Sequence, residues 1–236
     1  MRCAILFVVL MASICVSSAR NAEAQIQAPS NTASPSSSGT GLGGVQTVDA
    51  IAARIEDDVI TESEVRELTA FQKLADGHAK SRAEVIQELA DQWVVRGEAN
   101  TAKFPLPSKE DVDRATSQFE GQFSSPGEFE KRRAAAGISE SAIRRMVEQQ
   151  LYLARFIDYR FRPAAQVGEK QIADYYNDEF APQLKARGDT VPPLEDVEDT
   201  IREVLIQRAI TDRANKWLDE TRPTLKIDLV ATGGTK

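Results

Sequence analysis

Residues 48–65 read VDAIAARIEDDVITESEV, and the fold is decided by how this stretch is used. Ile51, Ala53 and Ile55 alternate with Ala52, Arg54 and Glu56, a period of two that predicts a short strand. Asp57-Asp58 marks a turn, and Val59-Ile60 is a return to apolar chain. Thr61-Glu62-Ser63-Glu64 is a capping box: the Thr61 hydroxyl and the Glu64 carboxylate satisfy free backbone N–H groups reciprocally, so a helix starts here. At the far end Leu225, Ile227 and Leu229 alternate with Thr224, Lys226 and Asp228, a second strand. A two-stranded ribbon alone is marginal in water. The predicted fold is therefore mainly α: a multi-helix domain over residues 48–236, with a small two-stranded sheet that pairs the N-terminal strand with the C-terminal one.

The chain between the strands is punctuated as helices. Ser81 to Glu84 forms a second capping box, and Ile86, Leu89, Trp93 and Val94 follow on one face. Pro105 and Pro107 break the chain, Ser108 caps the next helix, and Val112, Ala115, Phe119 and Phe123 make its stripe. Ser125-Pro126 is an N-cap with proline at the first helical position, and Gly137 suits a left-handed C-cap. Ser139 opens a strong helix with Ile143, Met146, Val147, Leu151, Ala154 and Ile157, ended by Pro163. Ile172, Tyr175 and Tyr176 mark another, which Pro182 and Gly188 are expected to stop. Pro192-Pro193 precedes a long helix over about 194–221 with Val197, Ile201, Val204, Leu205 and Trp217 on its face.

Upstream of the folded part, residues 1–24 read as an export signal. Met1-Arg2 is a short positive start, and the run from Cys3 to Val16 is apolar and uncharged, too short to span a bilayer comfortably. Cleavage after Ala24 is favoured, with Ala19 and a retained anchor as the alternatives. Both cysteines, Cys3 and Cys15, lie in this segment. Removing it leaves a thiol-free chain suited to an oxidising compartment such as the periplasm or cell envelope. Residues 25–47, rich in Ser, Pro, Gly, Thr and Asn, read as a disordered linker. The formal net charge of −7 argues against binding nucleic acid or an anionic membrane, since both need a cationic surface.

The order of these segments resembles the SurA-type periplasmic chaperones and related foldase lipoproteins. Members open as residues 48–65 do, with a short strand, a polar turn, an apolar pair and a Ser/Thr/Glu-rich helix start. The helix over 85–98 resembles the family's second helix, and residues 137–151 its long helix. Val167-Gly168-Glu169-Lys170-Gln171-Ile172-Ala173-Asp174-Tyr175-Tyr176 resembles the segment that leads into the family's parvulin isomerase domain. The last helix with Trp217, followed by residues 225–230, resembles the returning helix and strand. The resemblance spans nearly all of 48–230. It implies an envelope chaperone that holds unfolded or partly folded secreted or outer-membrane proteins, with no nucleotide, cofactor or metal. The chain departs from the family where the isomerase domain belongs: residues 164–193 hold one helical segment and a loop, far short of a domain. His78 is the only histidine, where parvulin sites carry several. No catalytic residue is therefore expected, and a degenerate isomerase is the weakest reading.

The residues themselves point to a binding surface rather than to chemistry. His78 has no Ser, Cys or second His arranged around it, so an exposed loop histidine is the expectation. Glu195, Asp196, Glu198 and Asp199 sit near a helix start, where the helix dipole favours carboxylates, although they could hold a cation. Gly41 to Gly44 lacks the lysine of a phosphate loop. Phe119, Phe123, Phe129, Tyr152, Phe156 and Tyr159 are the candidate peptide-binding set. Tyr152, Phe156 and Tyr159 lie off the Ile143–Val147–Leu151–Ala154 face, and a helix with two apolar faces either sits between neighbours or lines a groove. Phe156 is expected in the core and Tyr152 in the groove. Arg144, Arg145, Arg155, Arg160 and Arg162 edge the same helix, contacting client backbone or keeping it soluble. The competing class is an adaptor with one fixed envelope partner.

Overall fold

Glu56 turns the chain at the first hairpin with a left-handed backbone, φ +49°. It joins strand β1 (Ile51–Ile55) to strand β2 (Asp58–Thr61), antiparallel, with Ala53 opposite Ile60 and Ile55 opposite Asp58. Strand β3 (Ile227–Leu229) adds to the other side of β1, antiparallel, with Ile55 opposite Ile227 and Ala53 opposite Leu229. The computed structural model describes residues 49–230. The expected signal segment 1–24 and linker 25–47 lie outside the described residues.

The predicted pairing of the two ends is present, but the sheet has three strands, in the order β2-β1-β3, not two. Val59-Ile60, read as a return to apolar chain, is the middle of β2. That strand has four residues and its last, Thr61, is already a helix cap, so no alternation could develop. Glu56 ties the sheet together from the turn. Its N–H donates to the Lys226 carbonyl (3.0 Å), and its Oε1 accepts from the Lys226 N–H (2.7 Å).

Every predicted N-cap is made. In α1 (Glu62–Asp76) the Thr61 N–H donates to Glu64 Oε2 at 2.8 Å, and the Glu64 N–H to Thr61 Oγ1 at 3.2 Å. Ser81 and Glu84 repeat the box on α2 (Arg82–Thr101). Ser108, Ser125 and Ser139 accept from the first turns of α3 (Lys109–Glu120), α4 (Pro126–Ala136) and α5 (Glu140–Phe161). Gly137 ends α4 at φ +67°, a conformation that suits glycine because it carries no Cβ. The segment after α5 departs from expectation. Pro182 does not stop a helix: α6 (Glu169–Tyr175) runs through a single π turn at Tyr176–Phe180 into α7 (Ala181–Arg187). Pro182 falls directly after the π turn, as the second residue of α7. α8 (Leu194–Thr221) follows as predicted.

The core has two lobes. One lies under the sheet, where Ala53, Ile55 and Ile60 meet Leu68 of α1, Ile86 of α2 and Ile143 of α5. The other gathers Val95 and Ala99 of α2, Leu153 and Phe156 of α5, and Ile210 and Leu218 of α8. Helices α2 and α5 run through both, so they are the spine. Leu225 packs against both lobes and Ile227 against the first, while Leu229 is 61% exposed. The alternation of Leu225, Ile227 and Leu229 thus does not bury all three side chains: β3 is an edge strand, and its last residue faces water. Truncation after Thr224 should cost about 2–4 kcal/mol, from two half-buried aliphatic side chains and the β1–β3 ladder. Thermal unfolding should fall by about 5–15 °C. An unchanged melting curve would contradict the role given to β3.

Candidate functional site

The candidate site is organised by the way α2 ends. Lys103 takes a left-handed backbone, φ +52°. The Lys103 N–H donates to the Asn100 carbonyl (3.0 Å) and the Phe104 N–H to the Ala99 carbonyl (2.9 Å). This is a Schellman closure with lysine where glycine is usual, a conformation that costs about 1–2 kcal/mol in a non-glycine residue. It throws Phe104 back against α5. Phe104 and Leu106 each precede a proline, which restricts both to extended backbone. Leu106 is consequently held out from the surface and is 74% exposed.

The Phe104 ring meets three aromatic rings of α5: Tyr152 at 6.0 Å, Phe156 at 5.6 Å and Tyr159 at 5.3 Å between centroids. These separations are those of favourable aromatic pairs. Phe156 is 1% exposed and belongs to the core, as expected. Tyr152 is 7% exposed, so its expected place on an open groove is corrected. Its hydroxyl lies 3.4 Å from both Asn100 Oδ1 and the Phe104 carbonyl oxygen. The physical reason is that α5 has α2 on one side and α3 on the other, and the 102–107 loop roofs Tyr152. Of the two options for a helix with two apolar faces, the middle of α5 takes the first. Tyr159, about two turns further on, escapes this cover and is 64% exposed.

Beside Tyr159 lies a cleft of about 700 Å³. Phe104, Ala154, Tyr159 and Pro163 give it an apolar floor, and Arg155, Asp158, Arg162 and Gln207 form its rim. The rim charges are compensated. Arg155 donates to Asp111 (2.8 Å), and this bond holds the Asp111 carboxyl below its usual range. Arg162 donates to Glu203 (2.7 Å) and Asp158 (2.8 Å), which raises its guanidinium pKa above an already high value and lowers that of Glu203. Arg144, Arg145 and Arg160 likewise pair with Asp113, Glu67 and Glu98. The arginines of α5 therefore staple it to neighbouring helices, a role that neither sequence-based option contained. A rim whose arginines are already paired, around an apolar floor, favours a ligand held by non-directional contact.

The other predicted aromatic residues lie elsewhere. Phe119, Phe123 and Phe129 form a cluster with Phe71 in the lobe under the sheet. Phe71 and Phe119 stack at 5.2 Å, and Phe123 meets Phe129 edge-on at 5.2 Å. Phe119 and Phe129 are buried at 5% and 7%, and Phe123 is partly buried. As peptide-binding residues these three are corrected to core, because α1, α3, α4 and α5 close over them. Of the six candidates, Tyr159 alone combines wide exposure with a concave setting. Phe104, Leu106 and Pro163 were missed; the signal available was a pair of apolar residues each fixed by a following proline in a loop. His78 is exposed, its Nδ1 3.1 Å from the Asp76 carbonyl oxygen. Among the described residues no group of three or more His, Cys, Asp or Glu side chains could hold a metal ion, and no helix is long and apolar enough to cross a membrane.

Comparison with protein-family models gives no match, and comparison with curated proteins gives none either.

Proposed function

We propose that the protein is a non-catalytic, SurA-like chaperone of the cell envelope that holds unfolded or partly folded exported proteins in the cleft beside Tyr159. The observation that carries this reading is Tyr159 itself. It is a large aromatic side chain, 64% exposed, braced on Phe104 and part of an apolar floor whose rim arginines are already paired. Aromatic side chains in such a setting supply contact area at little cost in conformational entropy. Non-directional apolar contact suits clients of many sequences. The export signal read in residues 1–24 supports an envelope location, and the joined ends around a helical body support the resemblance. Neither a nucleotide nor covalent chemistry enters the proposal.

The test is Tyr159→Ser. Tyr159 is largely exposed and its ring pair with Phe104 is worth about 0.5–1.5 kcal/mol, so the loss of stability should stay near 1 kcal/mol. Suppression of aggregation should fall severalfold for several unrelated unfolded clients. Full holding activity in the variant would place the client surface elsewhere. Activity toward one folded partner, with none toward unrelated unfolded chains, would favour the adaptor reading.

A further inference from the structure

We infer that a smaller pocket on the other side of the 102–107 loop receives the C-terminal end of a polypeptide, an apolar last residue with its free carboxylate; this rests on the reading of the neighbouring cleft as a peptide groove. The pocket has a volume of about 240 Å³. It is smaller than the roughly 300–1,000 Å³ of sites for drug-sized ligands and suits a single residue. Leu106 and Pro107 of the loop line it, together with Arg96 and Asn100 of α2 and Arg145, Glu148, Gln149 and Tyr152 of α5.

The lining groups ask for different things. Leu106 is 74% exposed and pinned by the prolines on either side, so its aliphatic side chain has no cover. In the same pocket, Arg96 is half-buried and makes no hydrogen bond or ion pair among the described residues. Its electrostatic partner is Asp58, whose carboxylate already accepts from Trp93 Nε1 (3.0 Å) and the Val59 N–H (2.8 Å). Arg145 directs one nitrogen to Glu67 at 2.7 Å, leaving other N–H donors of its fork for a second acceptor. The pocket thus offers guanidinium donors next to uncovered aliphatic surface. An internal apolar residue brings no charge, and an Asp or Glu side chain brings charge without an apolar body. The last residue of a chain brings both. Phe104 contacts both Tyr152, which lines this pocket, and Tyr159 in the larger cleft, so residues preceding the chain end would lie toward that cleft. The exposed Glu148 carboxylate at the pocket opposes an incoming anion.

Fluorescence anisotropy on the full chain tests this, using a dye-labelled extended peptide that ends in leucine as the free acid and as the amide. The acid should bind roughly tenfold tighter, as expected for a charge-assisted hydrogen bond. Arg96→Gln should abolish that difference, and Glu148→Gln should tighten the acid only. Equal affinity of acid and amide for the unmodified protein would overturn the inference while leaving the groove reading intact. N-acetyl-leucine binding as tightly as the peptide would overturn the assignment to a polypeptide end. Failure of both peptides to bind would overturn the groove reading as well.

Discussion

Replacing Arg222 with alanine is expected to destabilise the fold by about 3–5 kcal/mol, the range for breaking a buried ion pair from one side. Arg222 follows α8 directly, and its guanidinium grips Asp91 of α2 with two bonds, Nε to Oδ1 at 2.7 Å and Nη2 to Oδ2 at 2.8 Å. Asp91 is 4% exposed, one of the few buried charged or polar side chains among the described residues. Beyond Arg222, Gln87 Nε2 donates to Asp91 Oδ1 at a long 3.3 Å, so the variant leaves a carboxylate in a dry setting with little compensation. The pair locks the end of the last helix to the spine and so sets the approach of β3 to β1. Urea unfolding of Arg222→Ala and of Asp91→Leu separates the causes. The leucine variant removes the buried charge and should recover part of the loss, because a buried pair is worth little against well-packed apolar residues. Equal and small effects would show that the pair does not hold the two helices.

Phe156→Ser is expected to be of similar size, about 3–5 kcal/mol, as for large-to-small changes in a packed core. Phe156 is 1% exposed, packs in the lobe shared by α2, α5 and α8, and meets the edge of Phe104. Three residues away, Tyr159→Ser should cost no more than about 1 kcal/mol. The contrast tests the placement of α5 itself: if the helix were rotated so that Tyr159 faced inward, the two effects would exchange. Thermal and urea unfolding of both variants decides it. A loss of under 1 kcal/mol in Phe156→Ser would contradict the packing described for this lobe.

The frame was legible wherever local chemistry speaks without the rest of the chain. Capping boxes at Thr61 and Ser81, and the serine caps at 108, 125 and 139, each satisfy a backbone donor within three residues, so position and type follow from sequence. The alternation over Ile51–Ile55 and over Leu225–Leu229 was enough to pair the ends. What sequence does not carry is which apolar face another element covers. Tyr152 and Tyr159 share a helix and a residue type, yet one is roofed by a loop and the other is not. That outcome depends on the left-handed Lys103, which reverses the chain, and a lysine in that conformation has no sequence signal. The π turn at Tyr176–Phe180 was hidden for the same reason: Pro182 announces an interruption, not how the chain passes through it.

The central claim, that clients occupy the cleft beside Tyr159, is tested most directly by photo-crosslinking in the envelope. A photoreactive residue replaces Tyr159 in one variant and Asp228, exposed on β3, in a control. Adducts from position 159 to several unrelated exported proteins in unfolded form are expected, and few from position 228. The absence of adducts at 159, or the same adducts from both positions, would contradict it.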